Sequence, residues 1–398
     1  MPVYVWSDFG GAPHLVGATE LEASGGKFRY APAYLDGLKP AIDAINLPAR
    51  GDEFRTRANR GVFGVLSDTG PDAWGRRVLT ALHPRRMGRA GELDVLLMAS
   101  GHGCGALLFS ASRDRVMPRA GGIPLDRLGA AAEAAHQVET GQALRAQLRQ
   151  LIEAGTSLGG VHPKVAVSSG DGEWIAKFRS REDLADTPRI EWSAMRLAKQ
   201  CGIDAAEVRL TAVGERPALL VRRFDRGPQG PLHYASAHAL WNRESAREED
   251  AGDWASYAGI AQLRRLLPGK GVRTDTGELF RRLVFNVVIG NTDDHGRNHG
   301  FLMDATGNWR LAPAFDVLPT LGSGAAVQAL GAGPGGRERS VENVLAGASS
   351  FGLTQPKARQ IVGALHSGMR RRFGRLLREA NVVPAEREAA LSRILPEP

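Results

Sequence analysis

The stretch NTDDHGRNHG at residues 291–300, followed by LAPAFDVLPT at 311–320, decides how this chain is interpreted. It places Asp293, then Asn298 five positions later, then Asp316 eighteen positions further on. A carboxylate can accept the proton of an attacking hydroxyl group, and an Asn/Asp pair can hold Mg²⁺ against a triphosphate. The stretch therefore predicts a site for phosphoryl transfer.

This order and spacing is typical of protein kinases, which hold a base carboxylate, a metal-ligand Asn and a metal-ligand Asp in the same sequence. Two other interpretations are open. The Asp-Asp-His triplet alone could form a surface turn, and His295 and His299 stand four residues apart, a spacing that can bind metal on a helix. Gly296 between the histidines favours a loop, and the sequence has no HExxH motif or third ligand beside them. The complete acid and amide set therefore favours a kinase.

A candidate phosphate loop, TSLGGVHPK, lies at residues 156–164 between a predicted helix and a predicted strand. Gly159 and Gly160 allow backbone N–H groups to turn toward an anion, and Lys164 adds a positive charge. A plain helix-to-strand turn would explain the segment at least as well if it stood alone. Because a lysine-bearing strand and the acid and amide set follow it, we interpret the segment as a loop that holds phosphate.

Lys177 lies in EWIAKFRS, where strand alternation places it on the same face as Ile175. Kinases carry a lysine on an inner strand that contacts nucleotide phosphates and pairs with a helical glutamate. Glu191, early in the predicted helix PRIEWSAMRLAKQ, is the natural partner. A lysine whose ammonium group reaches solvent and an ordinary first-turn acid are the alternatives.

The segment VRRFDR at 221–226 follows a predicted strand and could connect two lobes. In that position the backbone groups of Arg222, Arg223 and Phe224 would meet an adenine ring. Asp225 is expected to form a structural ion pair with an arginine instead.

Composition limits the class of protein. The chain of 398 residues is 43% hydrophobic and 24% charged, as ordinary globular proteins are. No run approaches the roughly 18–20 apolar residues that span a bilayer, and the N-terminus lacks the features of a secretory signal. The two cysteines, Cys104 and Cys201, have no metal-ligand spacing and are expected to be reduced. These features predict a cytoplasmic protein that does not act at membranes.

The net charge of +8 makes contact with a polyanion conceivable. Arginines cluster at 84–89 and 369–375, where solvated helix faces are the simpler explanation. The sequence carries no helix-turn-helix, zinc-finger or RNA-recognition signature. We therefore expect contact with DNA only indirectly, through a partner.

The organisation of the chain suggests three parts. Residues 1–115 are predicted to form a small module of mixed strands and helices, and 116–250 to contain the phosphate loop and the lysine strand. Residues 251–398 are predicted to be mostly helical apart from the catalytic and metal-binding motifs. The segment 321–340, rich in small residues, is predicted to be mobile.

The motifs SLGGVHPKVAV, WIAKF, IEWSAMRLAKQCGI, RFDR, NTDDHGRN and AFDVLPT resemble, in order and spacing, the signature elements of HipA-type toxin kinases. The stretches VGATEL, FRYAPAYL, SDTGPDAWGRRVL and GCGALLF are similar to that family's N-terminal module. The resemblance covers nearly the whole chain. It implies an α+β, two-lobed protein/phosphatidylinositol-kinase-like fold with a small mixed N-terminal module and a mostly helical C-terminal lobe. The implied activity is serine/threonine protein phosphorylation that uses ATP and Mg²⁺.

The resemblance also implies residue roles. Asp293 would be the general base, Asn298 and Asp316 would hold Mg²⁺, and Glu191 would form the structural ion pair with Lys177. The ATP site would comprise Ser157, Leu158, Gly159, Gly160, Val161, His162, Pro163, Lys164, Lys177, Arg222, Arg223, Phe224, His295, Gly296, Arg297, Asn298 and Asp316. In the family the loop serine can be autophosphorylated, which ejects the loop and silences the kinase, and Ser157 occupies that place. Asp294 and Arg297 stand where small residues and Lys also occur in the family.

The biological setting implied by the resemblance is a bacterial toxin–antitoxin pair. The partner would be a small helix-turn-helix DNA-binding antitoxin (HipB-like), and the substrate would be a protein, which in this family can belong to the translation machinery. Two alternatives stay open at this point. One is a small-molecule kinase of the same fold, and the other is a catalytically inactive protein that binds a partner or acts as a corepressor.

Overall fold

The structure is a computed structural model that describes residues 1–155, 159–214, 216–243, 254–322 and 327–396. It has a mixed α/β architecture with an antiparallel sheet at its N-terminal end, in the order β4-β3-β2-β1-β5. The strands are β1 (Val3–Ser7), β2 (His14–Glu22), β3 (Gly25–Tyr30), β4 (Phe54–Thr56) and β5 (Leu107–Ser110). The accompanying helices are α1 (Pro32–Asp36), α2 (Ala58–Gly61), α3 (Gly64–Ser67), α4 (Ala73–Leu82), α5 (Pro84–Met87) and α6 (Glu92–Ala99).

Helix α4 is the N-terminal element that matters most for the site. Its buried residues Trp74, Val78 and Leu82 recur at a spacing of four, which places them on one face. The helix starts at Asp72, whose carboxylate accepts a hydrogen bond from the next backbone N–H, and it ends before Pro84, which begins α5. Its first turn is therefore fixed in position.

The middle of the chain forms a second sheet in the order β6-β7-β8-β10-β9. Its strands are β6 (Ile123–Pro124), β7 (Lys164–Ser169), β8 (Gly172–Lys177), β9 (Val208–Val213) and β10 (Arg216–Arg222). The helices of this part are α7 (Leu128–Glu139), α8 (Arg149–Glu153) and α9 (Thr187–Gln200). In the antiparallel register of β7 and β8, Lys164 lies directly opposite Lys177, so the two lysines are cross-strand neighbours.

The remaining chain carries a two-stranded ribbon, a three-stranded sheet and most of the helices. The strands are β11 (Arg226–Gly227), β12 (Gly230–Pro231), β13 (His233–Ser236), β14 (Gly300–Met303) and β15 (Trp309–Leu311). The helices are α10 (Ala237–Trp241), α11 (Tyr257–Leu266), α12 (Val272–Ile289), α13 (Val341–Ala346), α14 (Gln355–Glu379) and α15 (Pro384–Ser392). Helix α12 is buried along most of its length, and Gly290 ends it in the left-handed conformation at φ 80°.

The hydrophobic core is continuous across the N-terminal part and the rest of the chain. One cluster joins the N-terminal strands to α9, α12 and α14, and a second joins Trp74 and Val78 of α4 to the inner strands β7, β8 and β10. Apolar packing thus crosses the predicted limit at residue 115, and the three domain ranges stay a prediction.

The structure contains one sheet that the sequence analysis does not predict and narrows one expectation. The unpredicted sheet is formed by β13, β14 and β15, and β14 directly follows the 291–299 loop. Of the segment 321–340, residues 323–326 lie outside the described part, whereas 327–340 are tied by hydrogen bonds, including one of 2.6 Å from Arg337 Nε to the carbonyl oxygen of Gln328. In the part of the chain that the structure describes, no helix is long and apolar enough to cross a membrane.

Candidate active site

The catalytic loop, residues 291–299, begins directly after α12 and contains two adjacent aspartates in opposite environments. Asp293 is exposed at the surface of the site. Loss of part of its hydration raises the pKa of Asp293, the charges of Asp316 and Asp294 add to this effect, and His295 opposes it. A carboxylate with a raised pKa is a better proton acceptor than an ordinary one.

Asp294, by contrast, is buried, with 3% of its surface exposed. Its Oδ2 accepts hydrogen bonds from the Tyr257 hydroxyl, from Asn286 Nδ2 at 3.0 Å and from His299 Nε2 at 3.1 Å. Burial alone would raise the pKa of Asp294, but His299 and the donated hydrogen bonds lower it below its usual range. This charged anchor fixes the catalytic loop to α11 and α12.

Lys177 joins its strand, β8, to Glu191 and to Asp316 of the predicted metal-binding motif. Its Nζ lies 2.6 Å from Glu191 Oε1 and 2.5 Å from Asp316 Oδ1. Burial by itself would lower the pKa of Lys177, but the two carboxylates outweigh it and hold that pKa above its usual range. Asp316 keeps a pKa well below its usual range, because Lys177 and Lys164 outweigh its burial. The three side chains thus form one charged unit.

Asp316 also has an uncommon backbone, with φ 59° in the left-handed region. Few residues other than Gly, Asn and Asp adopt this conformation readily. Burial of Glu191, by contrast, raises the pKa of its carboxyl group against the pull of Lys177. Glu191 therefore has the environment of a structural partner, whereas Asp316 stays an ionised oxygen donor.

The phosphate loop is described from Gly159 onward, and Ser157 and Leu158 lie outside the described residues. Lys164 is buried, and its Nζ donates a hydrogen bond to the Gly159 carbonyl oxygen. Burial and the nearby charge of Lys177 lower the pKa of Lys164 to about 8. His162 Nε2 lies 2.9 Å from Asp183 Oδ1, and that hydrogen bond raises the pKa of His162.

The rest of this loop has contrasting exposure. Val161 is 60% exposed, and Pro163 is buried. The backbone N–H of Gly160 donates to Asp72 Oδ2 at 3.2 Å. The loop therefore contacts Asp72 at the start of α4 and Asp183 in the segment after β8, and the sequence analysis assigned neither residue to the site.

The connector at 222–224 uses two of its backbone amides within the protein. The backbone N–H of Arg222 donates to the carbonyl oxygen of Glu207 and that of Arg223 to the carbonyl oxygen of Glu173, each at 2.9 Å. The contact of this connector with an adenine ring stays a prediction. The Phe224 ring packs against Phe315 at 5.4 Å between centroids.

Asp225 forms the structural ion pair expected from the sequence. Its Oδ2 lies 2.8 Å from Arg223 Nη2 and 2.9 Å from Arg226 Nη1, and it accepts the Gly105 N–H at 2.8 Å. Both arginines also donate to the carbonyl oxygen of Gly103. The connector is thereby fastened to the N-terminal part of the chain.

The other predicted residues lie in or beside the catalytic loop. Asn298 is buried and its backbone N–H donates to the His295 carbonyl oxygen at 2.9 Å, within a short 3₁₀ turn that includes Gly296. Arg297 is exposed, and its Nε lies 3.8 Å from Asp72 Oδ2. In the described part of the chain, no group of three or more His, Cys, Asp and Glu side chains is arranged to hold a metal ion by itself.

Sequence analysis missed four residues that shape this site. They are Asp72, Asp183, Tyr257 and Asn286, and each contacts a predicted motif from outside it, at separations from 8 residues for Asn286 to 88 residues for Asp72. Only Asp72 gave a signal, because it stands before an apolar helical pattern and starts a helix.

Comparison with known proteins identifies the family. The profile of the HipA-like C-terminal domain matches residues 156–373, more than half of the chain. The chain belongs to the HipA family. The matched range contains the phosphate loop, Lys177, Glu191 and the whole catalytic and metal-binding motif.

Individual proteins that resemble this chain carry kinase names. A Sinorhizobium fredii protein with the provisional name kinase Y4mE is 28% identical over 312 residues, covering 74% of this chain and 72% of its own length. Another from that organism, provisionally named kinase Y4dM, is 30% identical over 162 residues, or 38% of each chain. The serine/threonine-protein kinase toxin HipA of Shewanella oneidensis is 27% identical over 188 residues, or 41% of this chain and 42% of its own. The chain thus spans between 38% and 72% of these relatives.

The fold agrees with a solved structure of the family. A chain from the Shewanella oneidensis toxin–antitoxin complex of HipA, HipB and operator DNA superimposes with a TM-score of 0.71 at 18% identity, covering 96% of this chain and 94% of that one. At this identity the likeness establishes the shared fold, which includes the N-terminal part.

Proposed function

We propose that this protein is an ATP-dependent serine/threonine protein kinase, the toxin of a toxin–antitoxin pair. The observation that carries the proposal is Lys177 held between Glu191 and Asp316, 2.6 and 2.5 Å away, beside the open carboxylate of Asp293. A lysine, a structural glutamate, a metal-binding aspartate and a base are the parts that kinases require. A two-lobed kinase-like arrangement, with nucleotide between the β7–β10 sheet and the helical part, follows from this proposal.

The residues present fit ATP with Mg²⁺. Mg²⁺ prefers oxygen ligands, is commonly held by one or two carboxylates, and completes its coordination with water and substrate phosphates. Asp316, an ionised carboxylate, and the amide of Asn298 would supply such donors, and a bound ion would neutralise charge on the transferred phosphate. Lys177 is placed to exchange its contact with Asp316 for a phosphate oxygen without leaving Glu191.

Asp293 would accept the proton of the attacking hydroxyl group. Its raised pKa suits this role, since the carboxylate must be ionised before transfer and must hold the proton afterwards. The anchor at Asp294 would hold Asp293 in place, so that little reorganisation is needed during the reaction.

The proposal is tested by transfer of the γ-phosphate. Purified protein should incorporate label from γ-labelled Mg-ATP into itself or into a protein of a bacterial lysate, and Asp293→Asn should not. Label that enters only small molecules would favour a small-molecule kinase of the same fold. Absence of Mg-ATP binding by calorimetry and of any transfer would favour the inactive partner-binding alternative.

The partner we propose is a small HipB-like helix-turn-helix antitoxin, encoded beside this gene, through which the protein contacts operator DNA indirectly in the cytoplasm. Two observations support it: the related structure is a complex of HipA, HipB and operator DNA, and this chain carries a net charge of +8. Specific operator binding by this protein alone, in a mobility-shift assay with competitor DNA, would exclude the indirect arrangement.

The most detailed part of the proposal is self-inactivation by phosphorylation of Ser157. A phosphate there would add about −1.5 to −2 charges next to the triphosphate and drive the loop outward. Ser157→Ala protein should then keep its activity during long incubation with Mg-ATP. Mass spectrometry that finds Ser157 unmodified, while phosphate dependent on Asp293 appears elsewhere, would exclude this route. A translation protein as substrate stays a proposal, to be tested by identifying labelled lysate proteins.

A further inference from the structure

The start of α4 touches both loops of the site, although it lies more than 80 residues from either in sequence. Gly160 is held on both sides of its Cα: its N–H donates to Asp72 Oδ2 at 3.2 Å, and its carbonyl oxygen accepts the Trp74 N–H at 3.1 Å. The Trp74 indole N–H donates to the Lys164 carbonyl oxygen at 2.8 Å, from a fully buried ring. The C-terminal half of the phosphate loop is thereby bound to one helical turn.

This attachment fixes an otherwise adjustable position. Gly160 has φ 91°, a conformation that glycine adopts but does not prefer over others. Without partners, its peptide groups could rotate and change the direction in which the loop presents its donors. The hydrogen bonds that Gly160 donates to Asp72 and accepts from Trp74 select one orientation.

The same carboxylate faces the catalytic loop. Asp72 Oδ2 lies 3.8 Å from Arg297 Nε, and both side chains are about two-fifths exposed, at 39% and 42%. Partial burial would raise the pKa of Asp72, but Arg297, the Gly160 N–H and the more distant Lys164 lower it, so the carboxylate stays charged. The ion pair is long and exposed, so the hydrogen bond to Gly160 is the stronger of the two contacts.

We propose that Asp72 is a positioning residue that sets the phosphate loop against the catalytic loop through Gly160, so that the N-terminal part of the chain completes the nucleotide site. The inference rests on the proposed function for its kinetic consequence only. Its geometric consequence can be measured without any activity.

The test uses the full chain with three substitutions. Asp72→Ala removes the acceptor for Gly160 and also the acceptor for the Ala73 N–H at the start of α4. Asp72→Asn keeps a side-chain acceptor oxygen but removes the charge. Asp94→Ala is the matched control. The Asp94 carboxylate also lies at the start of a helix, α6, and accepts a glycine N–H, that of Gly91 at 2.9 Å. Unlike Asp72, Asp94 is exposed, and within the described residues it contacts neither loop of the site. Hydrogen exchange of peptides covering 159–166 is followed without nucleotide, and KM for ATP and kcat are measured separately.

Asp72→Ala should exchange faster in this segment and raise KM for ATP about tenfold, the effect of losing one charge-assisted hydrogen bond, with kcat changed by less than about threefold. Asp72→Asn should stay within about threefold of wild type in KM, since it retains an acceptor. A purely structural role would lower the melting temperature and the active fraction without moving KM. Asp72→Ala protein that matches Asp94→Ala in exchange and in KM would overturn the inference. A wild-type protein without ATP-dependent activity would remove the proposed function, and the exchange data would still decide whether Asp72 holds the loop.

Discussion

The catalytic loop and the phosphate loop are held in different ways. The catalytic loop is held by Asp294, a carboxylate with 3% exposure that accepts three hydrogen bonds from buried donors. The phosphate loop combines a buried contact, from the Trp74 indole N–H to the Lys164 carbonyl oxygen, with two contacts that solvent reaches. In these two, Asp72 is 39% exposed and His162 is 38% exposed. Removing one partner of a buried charged contact is strongly destabilising and salt screens such a contact little, whereas exposed charged contacts are weak and screened. We therefore expect the attachment of the loop that carries Asp293 to depend less on salt than the Asp72 and His162 contacts of the phosphate loop.

The largest expected effect concerns Asp316, the proposed metal ligand. Asp316→Asn should lower kcat by about a thousandfold or more, because charge stabilisation of the transferred phosphate is lost. Asn adopts the left-handed backbone of this position, so the fold should persist. Steady-state kinetics and a thermal melt on the same sample check both statements. Turnover close to wild type would remove Asp316 from the site.

The next largest effect concerns the anchor itself. Asp294→Ala should reduce the free energy of unfolding by about 3 kcal/mol, because the buried donors of Tyr257, Asn286 and His299 lose their charged acceptor. The adjacent Asp293→Ala is the matched control and should change it by less than about 0.5 kcal/mol, since Asp293 is exposed. Urea denaturation measures both. Equal effects of the two substitutions would contradict the comparison of the two loops.

The pH dependence of this anchor has a defined sign. The folded-state pKa of Asp294 lies below its unfolded value, so its stabilisation is present above the ordinary Asp pKa of about 3.9 and is lost as the pH falls below it. The difference in stability between wild type and Asp294→Ala should therefore be constant near neutral pH and shrink in acid.

A substitution of Lys177 tests the contact between strand β8 and Asp316. Lys177→Met should weaken Mg-ATP binding by about tenfold, because an apolar side chain cannot pair with phosphate oxygens. Lys199→Met is the control, since Lys199 is exposed at the end of α9. Isothermal calorimetry measures the affinity of both variants for Mg-ATP. Equal affinities of the two variants would show that Lys177 has only a structural role, in its ion pairs with Glu191 and Asp316.

The smallest effect should come from the contact between His162 of the phosphate loop and Asp183. Asp183 raises the pKa of His162 in the folded state. Its stabilisation is therefore complete below the unfolded His pKa of about 6.5 and disappears as the pH rises through the folded value. His162→Gln should cost less than about 1 kcal/mol at pH 6 and nothing measurable at pH 9. A constant difference across this range would show that the ion pair contributes nothing.

The sequence predicted the ion pair of Lys177 with Glu191, which the structure confirms. The roles assigned to Asp293, Asn298 and Asp316 from their order and spacing stay predictions. Asp72 and Asp183 could not be found in this way, because a single acid has no spacing pattern and its partner is fixed only by the tertiary fold. The strands β13 to β15 are short, and β13 pairs with β14 across more than 60 residues, so local propensity does not reveal this sheet.

The left-handed backbone of Asp316 has a consequence for how this gene can change over time. Only Gly, Asn and Asp fit that conformation readily, and the codons of Asn and Gly each differ from an Asp codon by a single base. Two of the single-base substitutions open to this codon therefore keep the favoured backbone conformation while removing the carboxylate that we propose as a metal ligand. Either one would be expected to leave a lineage released from selection for activity with an intact, inert protein.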